Sequence, residues 1–189
     1  MSDPPISRFP VVDLDSLPAD VREPITAIAE KSGFVPNVFI ALAHRPEELR
    51  AFMAYHDALM DKSEGLSKAE REMIVVATSG ANDCLYCVVA HGAILRIRSK
   101  RPHLADQLAT NPHAADLSPR ERAIVTFALQ IAGDAAAVTD ADLAALGDAG
   151  LTTDEIWDVG AIAAFFAMSN RLAHLGAIRP NAEFFTMGR

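Results

Sequence analysis

Apolar residues along this chain recur three and four positions apart, with polar residues between them. That spacing predicts helices over about 19–32, 37–44, 46–62, 67–80, 83–99, 102–110, 118–133, 139–149 and 152–173. In 67–80, Met73, Ile74 and Ala77 fall on one face and Glu72 on another. Start signals support these boundaries. Ser67-x-x-Glu70, Ser118-x-x-Glu121 and Thr152-x-x-Glu155 are capping boxes, in which hydroxyl and carboxylate satisfy the orphan amides of a helix start. Pro46, Pro102 and Pro119 sit where first-turn prolines belong. No run alternates with period two between turn signals. The expected fold is therefore all-α, a helical bundle spanning 18–189 as a single domain, preceded by an extended arm over 1–17.

The chain also echoes itself. "LSKAEREMIVVA" from Leu66 resembles "LSPRERAIVTFA" from Leu117, which suggests a weak internal helical repeat. At the same offset, Glu72 becomes Ala123, Cys84 becomes Ala135, Cys87 becomes Val138 and His91 becomes Asp142. A bundle element can thus be built without these four groups, which shifts the balance toward a chemical reason for them.

Composition narrows the class. Half of the 189 residues are apolar but only 6% are aromatic, as suits closely packed helices. A net charge of −8 leaves no basic surplus for phosphates, so nucleic acid is not an expected partner. The one basic run, Arg96 to His103, reads as a helix end, where cations complement the dipole. The proline-broken acidic start does not read as a signal peptide. The apolar stretch from Ile74 to Leu95 is broken by Gly80-Ala81-Asn82-Asp83 and reads as two helices and a turn, not a membrane span. The expected address is cytoplasmic, where thiols stay reduced and a CxxC pair more often serves redox chemistry or metal than a staple. No GxGxxG, P-loop or GxSxG pattern occurs, and no cofactor is expected.

The candidate chemistry lies in "NDCLYCVVAHGAIL", Asn82 to Leu95, which holds both cysteines. With Asn82 or Asp83 as cap, Cys84 is expected in the first helical turn and Cys87 one turn on. His91, four beyond Cys87, continues the same stripe. A helix start favours thiolate over thiol, and an imidazole one turn away can take and return a proton. A thiolate, a proton donor and a second thiol are what peroxide cleavage followed by disulfide closure requires. Glu72 completes the set if the 80–83 turn folds its helix back, since a carboxylate orients an imidazole. Tyr86 points away from the stripe, where packing is its simplest role and an accessory one remains open. Zinc needs four ligands, and three groups in a line on one helix cannot surround an ion. Two inert buried thiols are the structural alternative. His56 could face the site from its own helix. His44, His103, His113 and His174 fall near helix ends, where imidazoles cap.

Glu72, Cys84-x-x-Cys87 and His91 together resemble the core motif of the alkylhydroperoxidase D-like group within the carboxymuconolactone decarboxylase superfamily. "GFVPNVFIALAHRPEELRAF" (from Gly33) and "FFAMSNRLAHLG" (from Phe165) are similar to flanking segments of its peroxidase-related branch. The resemblance implies an all-α fold and a thiol-dependent hydroperoxide reductase. Carried over, Cys87 attacks, Cys84 closes the disulfide, and His91 with Glu72 relays protons. Tyr86 stands where the prototype has a further histidine. The resemblance also implies a thiol or dithiol reductant, of lipoyl or thioredoxin type, and a homo-oligomer: dimer, trimer or hexamer. The dipole favours Cys84 as the more acidic thiol, whereas the contact with His91 and the resemblance favour Cys87, which is the expected nucleophile. Three other functions compete: a thiol–disulfide oxidoreductase, a redox-sensing oligomeric module, and a lyase of the decarboxylase type.

Overall fold

The computed structural model describes residues 5–189. The expected arm over 1–17 therefore falls partly, at 1–4, outside the described residues. The helices are α1 (Ala19–Ser32), α2 (Asn37–Leu42), α3 (Pro46–Met60), α4 (Lys68–Ala81), α5 (Leu85–Ser99), α6 (Leu104–Thr110), α7 (Pro119–Asp134), α8 (Asp140–Asp148), α9 (Thr153–Gly176) and α10 (Glu183–Thr186). Among the described residues there is no strand, and the fold is all-α.

All three capping boxes read from the sequence form, each hydroxyl accepting the N3 amide and each Glu accepting the cap amide. A fourth, Thr139 with Asp142, starts α8. Pro46 and Pro119 open their helices. Pro102 does not: α6 begins at Leu104, and Pro102 lies in the preceding turn. α9 runs to Gly176, three residues past its expected end, and closes on Ala177 in the left-handed conformation.

α4 is the centre of the bundle, packed against α5, α6, α7 and α9. Its residues from Arg71 to Ser79 are all buried. One core layer joins Ile74 and Val75 of α4 to Ile124 and Phe127 of α7 and to Val159, Ile162 and Phe166 of α9. On the other side of α4, Met73, Val76 and Ala77 meet Leu95 of α5 and Leu104 and Leu108 of α6. Gly80 serves this packing rather than the turn, since a Cβ there would meet the Ala109 carbonyl at 3.2 Å.

Arg71, the repeat's shared arginine, is fully buried. It donates to the carbonyls of Leu59, Glu64 and Leu66 and to Asp158 of α9, which Lys62 also reaches. Its counterpart Arg122 likewise bonds the segment leading into its own helix, through the carbonyls of His113 and Ala115. The basic run divides in function. Arg96 is buried and ties the C-terminal segment through the carbonyls of Phe184 and Met187, while Arg101 pairs with Glu121. Ahead of α1, the Arg8 amide donates to Gly176 and the Arg179 amide to Ile6, so this stretch is bonded to the end of α9.

Candidate active site

α4 and α5 lie back to back across a tight turn, and the turn differs from the expected one. Asn82 caps the end of α4 rather than the start of α5. Asp83 adopts a left-handed φ of 53°, a conformation that Asp tolerates better than most side chains. Cys84 is itself the N-cap of α5, with extended backbone, and its amide donates to the Ser79 carbonyl at 2.9 Å. Cys84 is therefore not in the first turn. Cys87 is, at N3, so the pair still shares the helix start.

The two cysteines approach to 3.3 Å as free thiols. Both are buried, but unequally placed: Cys84 lines an open cleft of about 1190 Å³, and Cys87 does not. Their acidities are split. The Cys84 thiol is pulled down to about 6, chiefly because the Cys87 S–H points at it. Burial opposes the shift; the Cys87 amide, the charge of His174 and the Asn170 side chain assist it. Cys87 is pushed well above the ordinary thiol range by its bond to Cys84 and by burial. The reduced pair thus shares one proton, held on Cys87, with the negative charge on Cys84.

His91 sits one turn beyond Cys87 on α5 and donates Nδ1–H to Glu72 Oε2 of α4 at 2.8 Å. The antiparallel return of α4 brings these two groups together. Both side chains are largely enclosed, and the Phe166 ring stands edge-on to the imidazole at 4.8 Å. With Nδ1 anchored, Nε2 is the nitrogen left to exchange protons. Tyr86 is buried, and its hydroxyl accepts the Val38 amide of α2, a packing contact that fixes α2 beside the dithiol. Burial pushes the pKa of the Tyr86 hydroxyl well up, which keeps the phenol protonated.

Three further neighbours project from α9: Ser169 and Asn170, which no motif singles out, and His174, expected only as a helix-end cap. Asn170 is fully buried; its Nδ2 donates to Ser79 Oγ at 3.0 Å and its Oδ1 accepts from Asn82 at 3.1 Å. Ser169 and Asn170 both favour the thiolate form of Cys87, though more weakly than the opposing causes. His174 donates Nε2–H to the Asn82 carbonyl at 2.9 Å and lines the same cleft as Cys84. The signal was present in "SNRLAH", whose polar residues at 169, 170 and 174 lie on one face of an otherwise apolar helix. His56 faces the Phe165 and Phe166 rings and bonds Asp57, without contact to the dithiol. His44 bonds the Ala41 carbonyl, and His103 caps α6. Among the described residues, no group of three or more His, Cys, Asp or Glu is placed to hold a metal ion. No described helix is long and apolar enough to cross a membrane.

Comparison with known proteins bears on this arrangement. Residues 46–111, which include Glu72, both cysteines and His91, match the model of the carboxymuconolactone decarboxylase family. No curated protein matches the chain. Among solved structures, an uncharacterized peroxidase-related protein with an alkylhydroperoxidase AhpD core, from Ralstonia eutropha JMP134, is 58% identical. The match covers 99% of this chain and 98% of that one, with a TM-score of 0.97. A peroxidase-related protein from Silicibacter sp. TM1040 is 38% identical over 100% of this chain and 97% of its own, with a TM-score of 0.91. The debrominase Bmp8 shares the fold, with a TM-score of 0.79 at 16% identity over 97% and 95% of the two chains. On these grounds the chain belongs to the AhpD-like, peroxidase-related branch of the carboxymuconolactone decarboxylase family.

Proposed function

We propose that the chain is a thiol-dependent hydroperoxide reductase working through a Cys84–Cys87 dithiol/disulfide cycle, with His91 and Glu72 as proton relay. The observation that carries this reading is the split pair: two sulfurs 3.3 Å apart, one favoured as thiolate and the other as thiol, beside an imidazole anchored to a carboxylate. A thiolate attacks one peroxide oxygen and the O–O bond breaks. The departing alkoxide takes a proton, and the attacking sulfur becomes a sulfenic acid. The second sulfur displaces the hydroxyl as water and closes the disulfide. Each turnover thus converts hydroperoxide and dithiol to alcohol, water and disulfide. A dithiol donor of lipoyl or thioredoxin type, in a reducing cytoplasm, reopens the disulfide.

The test is anaerobic stopped-flow mixing of reduced protein with an organic hydroperoxide, read beside mass-spectrometric detection of the 84–87 disulfide. Oxidation several orders of magnitude faster than that of an ordinary free thiol is expected, and either Cys→Ser variant abolishes the disulfide. Oxidation at the rate of a free thiol removes the peroxide reading. In that case the breadth of the cleft at Cys84 favours thiol–disulfide exchange with a bulkier partner.

A further inference from the structure

The two sulfurs do not share one imidazole. His91 is one turn from Cys87 on α5, anchored through Nδ1 to Glu72 and enclosed beside Phe166. His174 stands on the other side, exposed, anchored through Nε2–H to the Asn82 carbonyl two residues before Cys84. Each ring has one nitrogen fixed to an acceptor, and among the described residues the other nitrogen has no partner. Of these five groups, Cys84 and His174 line the open cleft; Cys87, His91 and Glu72 do not.

We propose that Cys84 is the sulfur that meets the substrate in this cleft and that His174 is its proton partner, leaving Cys87 with His91 and Glu72 to close the disulfide. This deepens the hydroperoxide reading and reverses the order that the family resemblance implies. The Cys84 thiolate attacks the terminal peroxide oxygen; the O–O electron pair departs on the alkoxide, which takes the Nδ1 proton of protonated His174. Cys87 then attacks the Cys84 sulfenic sulfur. Its thiol proton passes to His91 and on to the departing hydroxyl, which leaves as water. The other charged groups of the cleft are Asp83 from the turn, Arg8 ahead of α1, Arg179 after α9 and Glu183 of α10, two of each sign. They offset one another, and the His174 imidazole is the remaining cleft group whose charge favours the Cys84 thiolate.

The test is alkylation of the reduced, full-length protein with limiting iodoacetamide across pH 5 to 10, with the label mapped by peptide mass spectrometry. Labelling falls mostly on Cys84. In His174→Gln, which can still donate to the Asn82 carbonyl, the labelling midpoint rises and the rate at pH 6.5 drops about threefold or more. His174→Lys restores a cation and returns the midpoint toward the parent value. His91→Gln leaves the Cys84 midpoint in place. A label mostly on Cys87, or a midpoint unmoved by His174→Gln, overturns the assignment. The readout needs no peroxide, so its failure is separable from failure of the hydroperoxide reading.

Discussion

The residue on which the proposed chemistry turns is Cys84, and its position was only half legible. CxxC at a helix start follows from the spacing, but Asp83, not Gly80, takes the left-handed turn, and Cys84 becomes the cap. The consequence is a pair with one proton between two sulfurs, whose titration belongs to the pair as a unit. An ordinary thiol titrates near 8.5, and the first proton leaves the folded pair near 6. Between those values the unfolded chain binds more protons, so stability rises with pH; this contribution is lost as pH falls through about 6. Above about 8.5 the sign inverts, because the proton held on Cys87 leaves the unfolded chain first. Melting temperatures of the reduced protein should therefore peak near pH 8 to 9, about where an unfolded thiol titrates, and Cys84→Ser should flatten the rise below the peak. A rise as steep in the variant would assign the effect to other groups. At the neighbouring relay, Glu72→Gln keeps a hydrogen-bond acceptor for His91 but removes its charge. Peroxide-driven disulfide formation should slow by about ten- to a hundredfold with little change in melting temperature, as for loss of a carboxylate that orients an imidazole. Stopped-flow oxidation with a parallel thermal melt checks both halves.

At the scale of elements, the helices were readable because their starts are written locally. A Ser or Thr and a Glu three residues later fix the starts of α4, α7 and α9 to within one residue. What stayed hidden was long-range. Asn170 and His174 reach the dithiol from some ninety residues away, so the single-helix reading of Asn82 to Leu95 found His91 and missed them. Glu72 was found because its partner is one helix away across a tight turn. The repeat offers an internal comparison. Arg71 and Arg122 both stitch their helix to the segment before it, but only Arg71 is fully buried against a buried carboxylate, Asp158. Arg71→Met leaves Asp158 with Lys62 alone and three carbonyls without donors. A loss of about 3–5 kcal/mol follows for breaking such a pair, a fall of roughly 6–20 °C for a chain of this size. Arg122→Met, whose partners lie nearer solvent, should cost about 1 kcal/mol. Thermal melts of the two variants give the contrast; equal losses would mean that the buried ion pair contributes nothing beyond the stitching.

At the scale of the whole molecule, α9 is apolar over most of its surface outside the polar face of Ser169, Asn170 and His174, a pattern expected of a helix covered on most sides. In the single chain it is not covered. Trp157 is 75% exposed, Met168 45% and Leu175 59%, with Ala164 between them on the same face. We infer that a second copy of the chain packs on this stripe. The helix runs from Thr153 to Gly176, so its midpoint falls beside Ala164. An antiparallel two-fold crossing there lets small side chains meet at the centre and sets Ala161 against the partner subunit's Met168, a self-complementary arrangement. A net charge of −8 makes two copies repel at long range, so their contact must draw on buried apolar area such as this stripe offers. Trp157→Glu should convert the inferred pair to monomer at micromolar concentration, read by light scattering on a sizing column. Ile97→Glu, an exposed apolar position on α5 away from the stripe, should leave assembly unchanged. A parent chain that is monomeric at tens of micromolar would overturn the pairing. Because Asn170 and His174 project from the same helix toward Cys84, a partner clamped on its outer face would also steady the groups that hold the thiolate. The Cys84 labelling midpoint, measured in the monomeric Trp157→Glu variant, should then broaden or rise while the fold persists.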